Sequence, residues 1–132
     1  MTRHGLGSRI RSVRGAFTEA DGRSAMHVII ESRELPTAVF VANDFAAMGA
    51  LAALDTAGIR VPQDISIVGY DDIITSHSPR VALTTVAQPS VEMGRTAVNL
   101  LIERSEQGRA EPRHIVLAPR LVVRGTTAGP MA

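Results

Sequence analysis

The sequence predicts an α/β fold, a parallel sheet with helices on both faces. Three observations carry that expectation. Apolar runs of strand length alternate with segments of helical period. Stop signals separate them: Leu35-Pro36, Gly58 followed by Pro62, and Gly108. One run, 37–42, is apolar without alternation, as in a parallel strand covered on both faces.

The elements follow in order. Residues 10–17 read as a weak strand, and 18–22 as a turn with Asp21 as N-cap. A helix to about Arg33 places Ala25, Met26, Ile29 and Ile30 on one face. After the strand 37–42, Asn43 or Asp44 caps a second helix with apolar Met48, Leu51, Ala52 and Leu54. That helix ends where Gly58 supplies a left-handed cap and Ile59 folds back on the last turn. Strand 65–70 runs into Asp71-Asp72, and 73–82 is an irregular loop. A short strand, 83–86, precedes a helix from Pro89 to about Gln107, whose face is Gly94, Ala97, Val98, Leu101 and Ile102. Strands are expected at 114–117 and 121–123, and the tail from Gly125 to Ala132 is expected to fray.

Composition excludes several chemistries. The 132 residues suit one domain, and 45% hydrophobic content supports a packed core. There is no Cys, hence no disulfide, thiol nucleophile or Cys-ligated zinc. All 14 basic residues are Arg, which removes Schiff-base lysines, a phosphate-binding P-loop Lys and the Lys of a phosphoryl-receiver site. A net charge of +1 with scattered Arg makes a poor nucleic-acid surface. The four His lack metal-ligand spacing, so neither metal nor cofactor is expected. His77 lies beside Ser76 and Ser78 without a nucleophile elbow. No apolar run is long enough for a membrane span, no signal peptide precedes the fold, and a cytoplasmic setting is expected.

In an open parallel sheet, ligands bind outside the carboxyl ends of the strands. Phe17, Asn43-Asp44 and Asp71-Asp72 all fall at such ends. Phe17 offers a stacking face, Asn43 a donor and acceptors, and Asp71 a carboxylate for vicinal hydroxyls. That combination suits a sugar or nucleoside. Each also has a simpler use: Asn43 and Asp44 as helix caps, Asp71 as a turn cap, Phe17 as core.

Five segments follow one another: Pro36-Thr-Ala-Val-Phe-Val-Ala-Asn-Asp44, Ala47-Met-Gly-Ala-Leu51, Gly58-Ile-Arg-Val-Pro-Gln-Asp-Ile-Ser-Ile-Val-Gly-Tyr-Asp-Asp72, Leu83-Thr-Thr-Val-Ala-Gln-Pro89 and Leu121-Val-Val-Arg-Gly-Thr-Thr127. In sequence and in order they closely resemble motifs of the lactose/galactose-repressor (LacI/GalR) family. The resemblance implies most of the C-terminal lobe of a type I periplasmic-binding-protein-like fold, plus the crossover helix of the N-terminal lobe. Residues 1–127 then form a partial effector-sensing domain and 128–132 a frayed tail, with no DNA-binding domain in this chain. Residues 1–7 look like the end of the lobe's first helix, whose preceding strand has no counterpart here.

Carried over by position, the resemblance makes Phe17, Asn43 and Asp71 ligand contacts and Asp44 and Asp72 supporting or capping residues. Met48 falls on a dimer-forming helix, which implies a homodimer. Ala16 stands where some relatives place an Asp. The implied function is that of the effector-sensing portion of a LacI-family regulator, binding a sugar or nucleoside-like effector. Operator DNA would be bound only through a helix-turn-helix outside this chain. The alternatives are a sugar-binding transport protein of the same fold and a truncated, non-functional fragment. A sugar hydrolase would need two carboxylates about 5–10 Å apart across a cleft; adjacent Asp71 and Asp72 should point apart. The resemblance also implies that the helix at about 90–107 packs on the other lobe. Alone, its face at Ala97, Val98, Leu101 and Ile102 should fold onto the sheet or self-associate.

Overall fold

Thr18, not Asp21, opens the first helix. The computed structural model describes residues 5, 7–32, 34–106, 108 and 111–129. In it α1 spans Glu19–Glu31, with Thr18 extended and its hydroxyl oxygen accepting the Asp21 N–H at 3.2 Å. The Thr18 hydroxyl donates in turn to the Asp21 carboxylate. Asp21 therefore lies inside the first turn, where its charge suits the helix dipole. Helix α2 spans Asp44–Thr56, capped by Asn43. It closes with Gly58 at φ +71 and with Ile59 N–H donating to Leu54 O at 2.9 Å, as expected.

Two glycines let these helices touch backbone to backbone. A Cβ on Gly22 would lie 1.9 Å from Ala46 O, and one on Gly49 1.8 Å from Glu19 O. Behind that contact lies the core, built from Met26, Ala47, Ala50, Leu54, Ile67 and Leu83 among others.

Four strands form one sheet in the order β1-β2-β3-β4: β1 Ala38–Phe40, β2 Ser66–Asp71, β3 Thr84–Ala87 and β4 Arg120–Val122. β1, β2 and β3 are parallel; β4 runs antiparallel to β3, so the sheet is mixed. Side-chain alternation divides its faces. Val39, Ile67, Gly69 and Thr85 share the face that carries the core. On the opposite face, Phe40 is 62% exposed and meets Tyr70 edge-on, with centroids 6.4 Å apart. Helices α1 and α2 pack on the core face, and the α/β class expected from the sequence is the one observed, with β4 as its antiparallel member.

Two expected strands do not form. Residues 11–16 are exposed and pair with no strand; β1 ladders only to β2 among the described residues. The 114–117 run is likewise unpaired. It lies along the third helix, α3 (Ser90–Glu106), around a cavity of about 330 Å³ lined by Met93, Ala97, Leu100, Arg113, Ile115 and Leu117. The loop 73–82 contains a 3₁₀ turn, Ile74–His77.

The tail is docked, not frayed, as far as Ala128. Thr126 is buried; its carbonyl accepts Ile67 N–H at 2.8 Å, and its hydroxyl oxygen accepts Thr84 N–H at 2.9 Å. Ala128 N–H donates to Ser66 Oγ at 3.2 Å. Residues 130–132 lie outside the described residues. So do 1–4 and 6, on which the expected helix end mostly falls; Gly7–Arg9 is a 3₁₀ turn.

Candidate functional site

Because β1 and β2 are parallel, their carboxyl ends open on the same edge, and the chain places its polar residues there. Asn43 follows β1 in extended conformation and uses both ends of its amide. Oδ1 accepts Ala46 N–H at 2.9 Å, which caps α2. Nδ2 donates to Phe17 O at 2.9 Å. The second bond ties the 11–17 arm to the sheet edge and leaves the Phe17 ring 66% exposed. Phe17 is thus not core, and Asn43, almost fully buried, acts first as a cap and tether.

Asp44 is not a cap. It is the first residue of α2, fully buried, and its carboxylate points into the molecule. Oδ2 accepts Ile73 N–H at 3.0 Å and Ser76 Oγ–H at 2.6 Å, while Oδ1 accepts Thr85 Oγ1–H at 2.6 Å.

Asp71 ends β2 at φ +111 and Asp72 follows at φ +59. Such backbone is sparsely populated outside glycine, and Asp tolerates it better than most residues. The two carboxylates separate as expected. Asp71 Oδ1 accepts Gln88 Nε2–H at 2.5 Å. Asp72 Oδ1 accepts Arg124 Nη2–H at 2.6 Å and meets His77 Nε2 at 3.0 Å. Asp72 therefore caps no helix; it ties the site loop to the segment after β4. Burial raises its pKa, but the Arg124 hydrogen bond and charge, with His77 alongside, outweigh burial and hold it below the ordinary carboxylate range. A cavity of about 460 Å³ lies against Asp71 and Asp72, with Gln88, Glu92, Arg95 and Arg120 among its lining residues. Phe17 and Asn43 do not line it.

The structure thus links Phe17 to Asn43 and Asp71 to Gln88, and Asp44 bridges α2 to the turn after Asp71. Sequence reasoning assigns no site role to Ser76, Thr85, Gln88 or Arg124. Thr85 is a polar position inside β3, Gln88 and Arg124 follow strand ends, and Ser76 lies in the 3₁₀ turn; polar residues beside apolar runs are the available signal. Met48 is half-buried, packed against the core cluster. Among the described residues no group of three or more His, Cys, Asp or Glu could hold a metal ion. No described helix is long and apolar enough to cross a membrane.

A family model for the periplasmic binding protein-like domain matches residues 1–127. The chain belongs to that family. Among relatives of this periplasmic binding protein-like domain, the HTH-type transcriptional repressor PurR of Escherichia fergusonii is 45% identical over 116 residues, 88% of this chain and 34% of the relative. Among solved structures, a LacI transcriptional regulator from a Rhodococcus species is 41% identical with a TM-score of 0.87, covering 96% of this chain and 46% of that one. A LacI-family regulator from Enterococcus faecium with bound ribose is 32% identical with a TM-score of 0.78, covering 88% of this chain and 42% of that one. The chain therefore spans about a third to a half of the length of the relatives it matches. These relatives are transcriptional regulators, and the chain has the periplasmic-binding-protein-like fold of LacI-family effector domains.

Proposed function

We propose that this domain is the effector-contacting lobe of a LacI-family transcriptional regulator. It takes a small polyhydroxylated ligand, a sugar or nucleoside-like molecule, at the edge formed by Phe17, Asn43 and Asp71. Binding modulates operator affinity of the longer regulator, dimeric through the Met48 helix and cytoplasmic, whose helix-turn-helix holds the DNA. The lobe itself binds and performs no catalysis.

One observation carries the reading. At the carboxyl end of β2, Asp71 is held in a left-handed backbone conformation, with Oδ1 bonded to Gln88 and Oδ2 without a protein partner among the described residues. A carboxylate with a free oxygen suits hydroxyl recognition, and the exposed Phe17, tied to Asn43 at the end of β1, offers a stacking face. The ribose held by the Enterococcus faecium relative supports a sugar of that size. The test is a titration of the chain with D-ribose, cellobiose and adenosine, followed by chemical-shift changes. One lobe supplies part of the contacts and cannot close over the ligand, so affinity near the millimolar range is expected. Asp71→Ala should weaken it by about tenfold, the loss of charged hydrogen bonds. Equal binding by wild type and Asp71→Ala would overturn the assignment.

A further inference from the structure

Asp44 sits where a core side chain would be expected, yet it is a carboxylate. It enters over Gly69, where a Cβ would lie 2.2 Å from Asp44 Oδ1, so the strand has given up a side chain to admit it. Capping does not require it, since Asn43 caps α2. Its acceptors collect donors from three places: the Thr85 hydroxyl on β3, the Ile73 backbone N–H, and the Ser76 hydroxyl in the 3₁₀ turn. No cation pairs with it among the described residues; three neutral donors and the positive end of α2 face it.

The two oxygens divide the work. Oδ1 fastens the carboxylate to β3, and Oδ2 holds the turn that leaves β2. Asp71, the last residue of β2, and Asp72 lead into that turn, both at positive φ. Backbone of this kind persists only where its surroundings over-determine it. The fixings are Gln88 and the β3 pairing on Asp71, Arg124 on Asp72, and Asp44 on Ile73 just beyond them.

We infer that Asp44 is the positioning residue for Asp71: its buried carboxylate, anchored on Thr85, fixes the Ile73–Ser76 turn and thereby the backbone that presents the Asp71 carboxylate at the sheet edge. This rests on the reading of Asp71 as a ligand contact. Asp44 touches no ligand itself and acts through the turn. A merely structural Asp44 would act on the stability of the whole fold, whereas a positioning Asp44 acts on residues 71–76.

The experiment uses the full chain and two variants, Asp44→Asn and Ser76→Ala, with three readouts: amide exchange residue by residue, the HN–Hα couplings of Asp71 and Asp72, and D-ribose titration. In Ser76→Ala, Ile73 amide exchange should quicken by about tenfold while Gly69 and Thr85 amides keep their protection. The Asp71 and Asp72 couplings should shift, and ribose affinity should fall by about fivefold. Asp44→Asn should do the same more strongly; if it does not fold, Ser76→Ala decides alone. Unchanged Ile73 exchange and couplings in Ser76→Ala, or protection lost equally across the sheet, would overturn the inference. If wild type takes up no D-ribose while Ser76→Ala still loosens the 71–73 backbone alone, the ligand reading fails and the positioning role stands.

Discussion

Phe17 presents an aromatic ring that the fold itself does not use. Its carbonyl is held by Asn43, and the ring stands two-thirds exposed at the strand edge. Phe17→Ala should therefore lower ligand affinity by about fivefold, one stacking contact, and leave thermal stability unchanged; a titration and a melt on the same sample check both. Asp72 belongs to the opposite kind, a residue whose partner is internal. Its folded pKa lies below the unfolded one, so its contribution is fully present above the ordinary carboxylate range and fades as pH falls through the folded value. Asp72→Asn should cost about 1.5–3 kcal/mol at pH 7, the worth of a charge-assisted hydrogen bond, and that deficit should shrink as pH falls below the ordinary carboxylate range; melts along a descending pH series measure it. Asn43 and Asp71 are legible as sheet-edge positions because the ends of β1 and β2 show as ends of apolar runs, whereas Phe17 reaches that edge through its carbonyl on Asn43 and not through the strand expected at 10–17. Asp44 could not be given its role, since its meaning depends on Ile73, Ser76 and Thr85, 29 to 41 residues away. Nor could a sequence distinguish which half of Asn43's amide would be consumed by its own helix.

At the scale of elements, local signals decided what was legible. Helix α2 carries its cap, its apolar stripe and its left-handed stop within 16 consecutive positions, 43–58, and it forms there. α1 starts three residues earlier than expected, most of a turn, because Thr18 and Asp21 pair across the first turn and the hydroxyl, not the acid, is the cap. The 10–17 and 114–117 runs have strand composition and no ladder, because a strand is defined by its neighbour and these have none among the described residues. The α1–α2 contact was equally invisible: nothing local shows that Gly22 and Gly49 meet the other helix's backbone. Gly49→Ala would put a methyl 1.8 Å from Glu19 O, against backbone that cannot rotate away. The helices must separate, at a cost of about 3 kcal/mol, and the melting temperature should drop by about 10 °C. Gly94→Ala serves as the control, since open space surrounds that glycine, and it should stabilise α3 slightly.

For the whole molecule the decisive feature is α3, which buries no residue. The apolar face expected from the sequence is split by the structure. Ala97 turns with Met93 and Leu100 toward the 113–117 segment. Val98, Leu101 and Ile102 are exposed, as is Val91 at 83%. On a helical projection Val91, Val98, Leu101 and Ile102 form one stripe, with small Gly94 and Ser105 between them. The helix has not folded back onto the sheet, so self-association is the remaining expectation. Removing a Val, Leu or Ile side chain from water is worth about 1.5–3 kcal/mol. Four on each of two copies exceed the lower estimates, about 4 kcal/mol, of the rigid-body entropy that association must overcome. At a formal net charge of +1, little repulsion opposes the approach. The isolated chain should therefore show a mass in light scattering that rises with concentration. Leu101→Glu with Ile102→Glu should return it to a monomer without changing the melting temperature, because neither side chain is buried in the single chain. The Met48 helix is the competing surface, and it is distinguished by its half-buried side chain: Met48→Glu would disturb the core cluster and lower stability as well. A wild-type monomer at all concentrations, with α3 amides fully protected, would show that the stripe is covered within one copy instead.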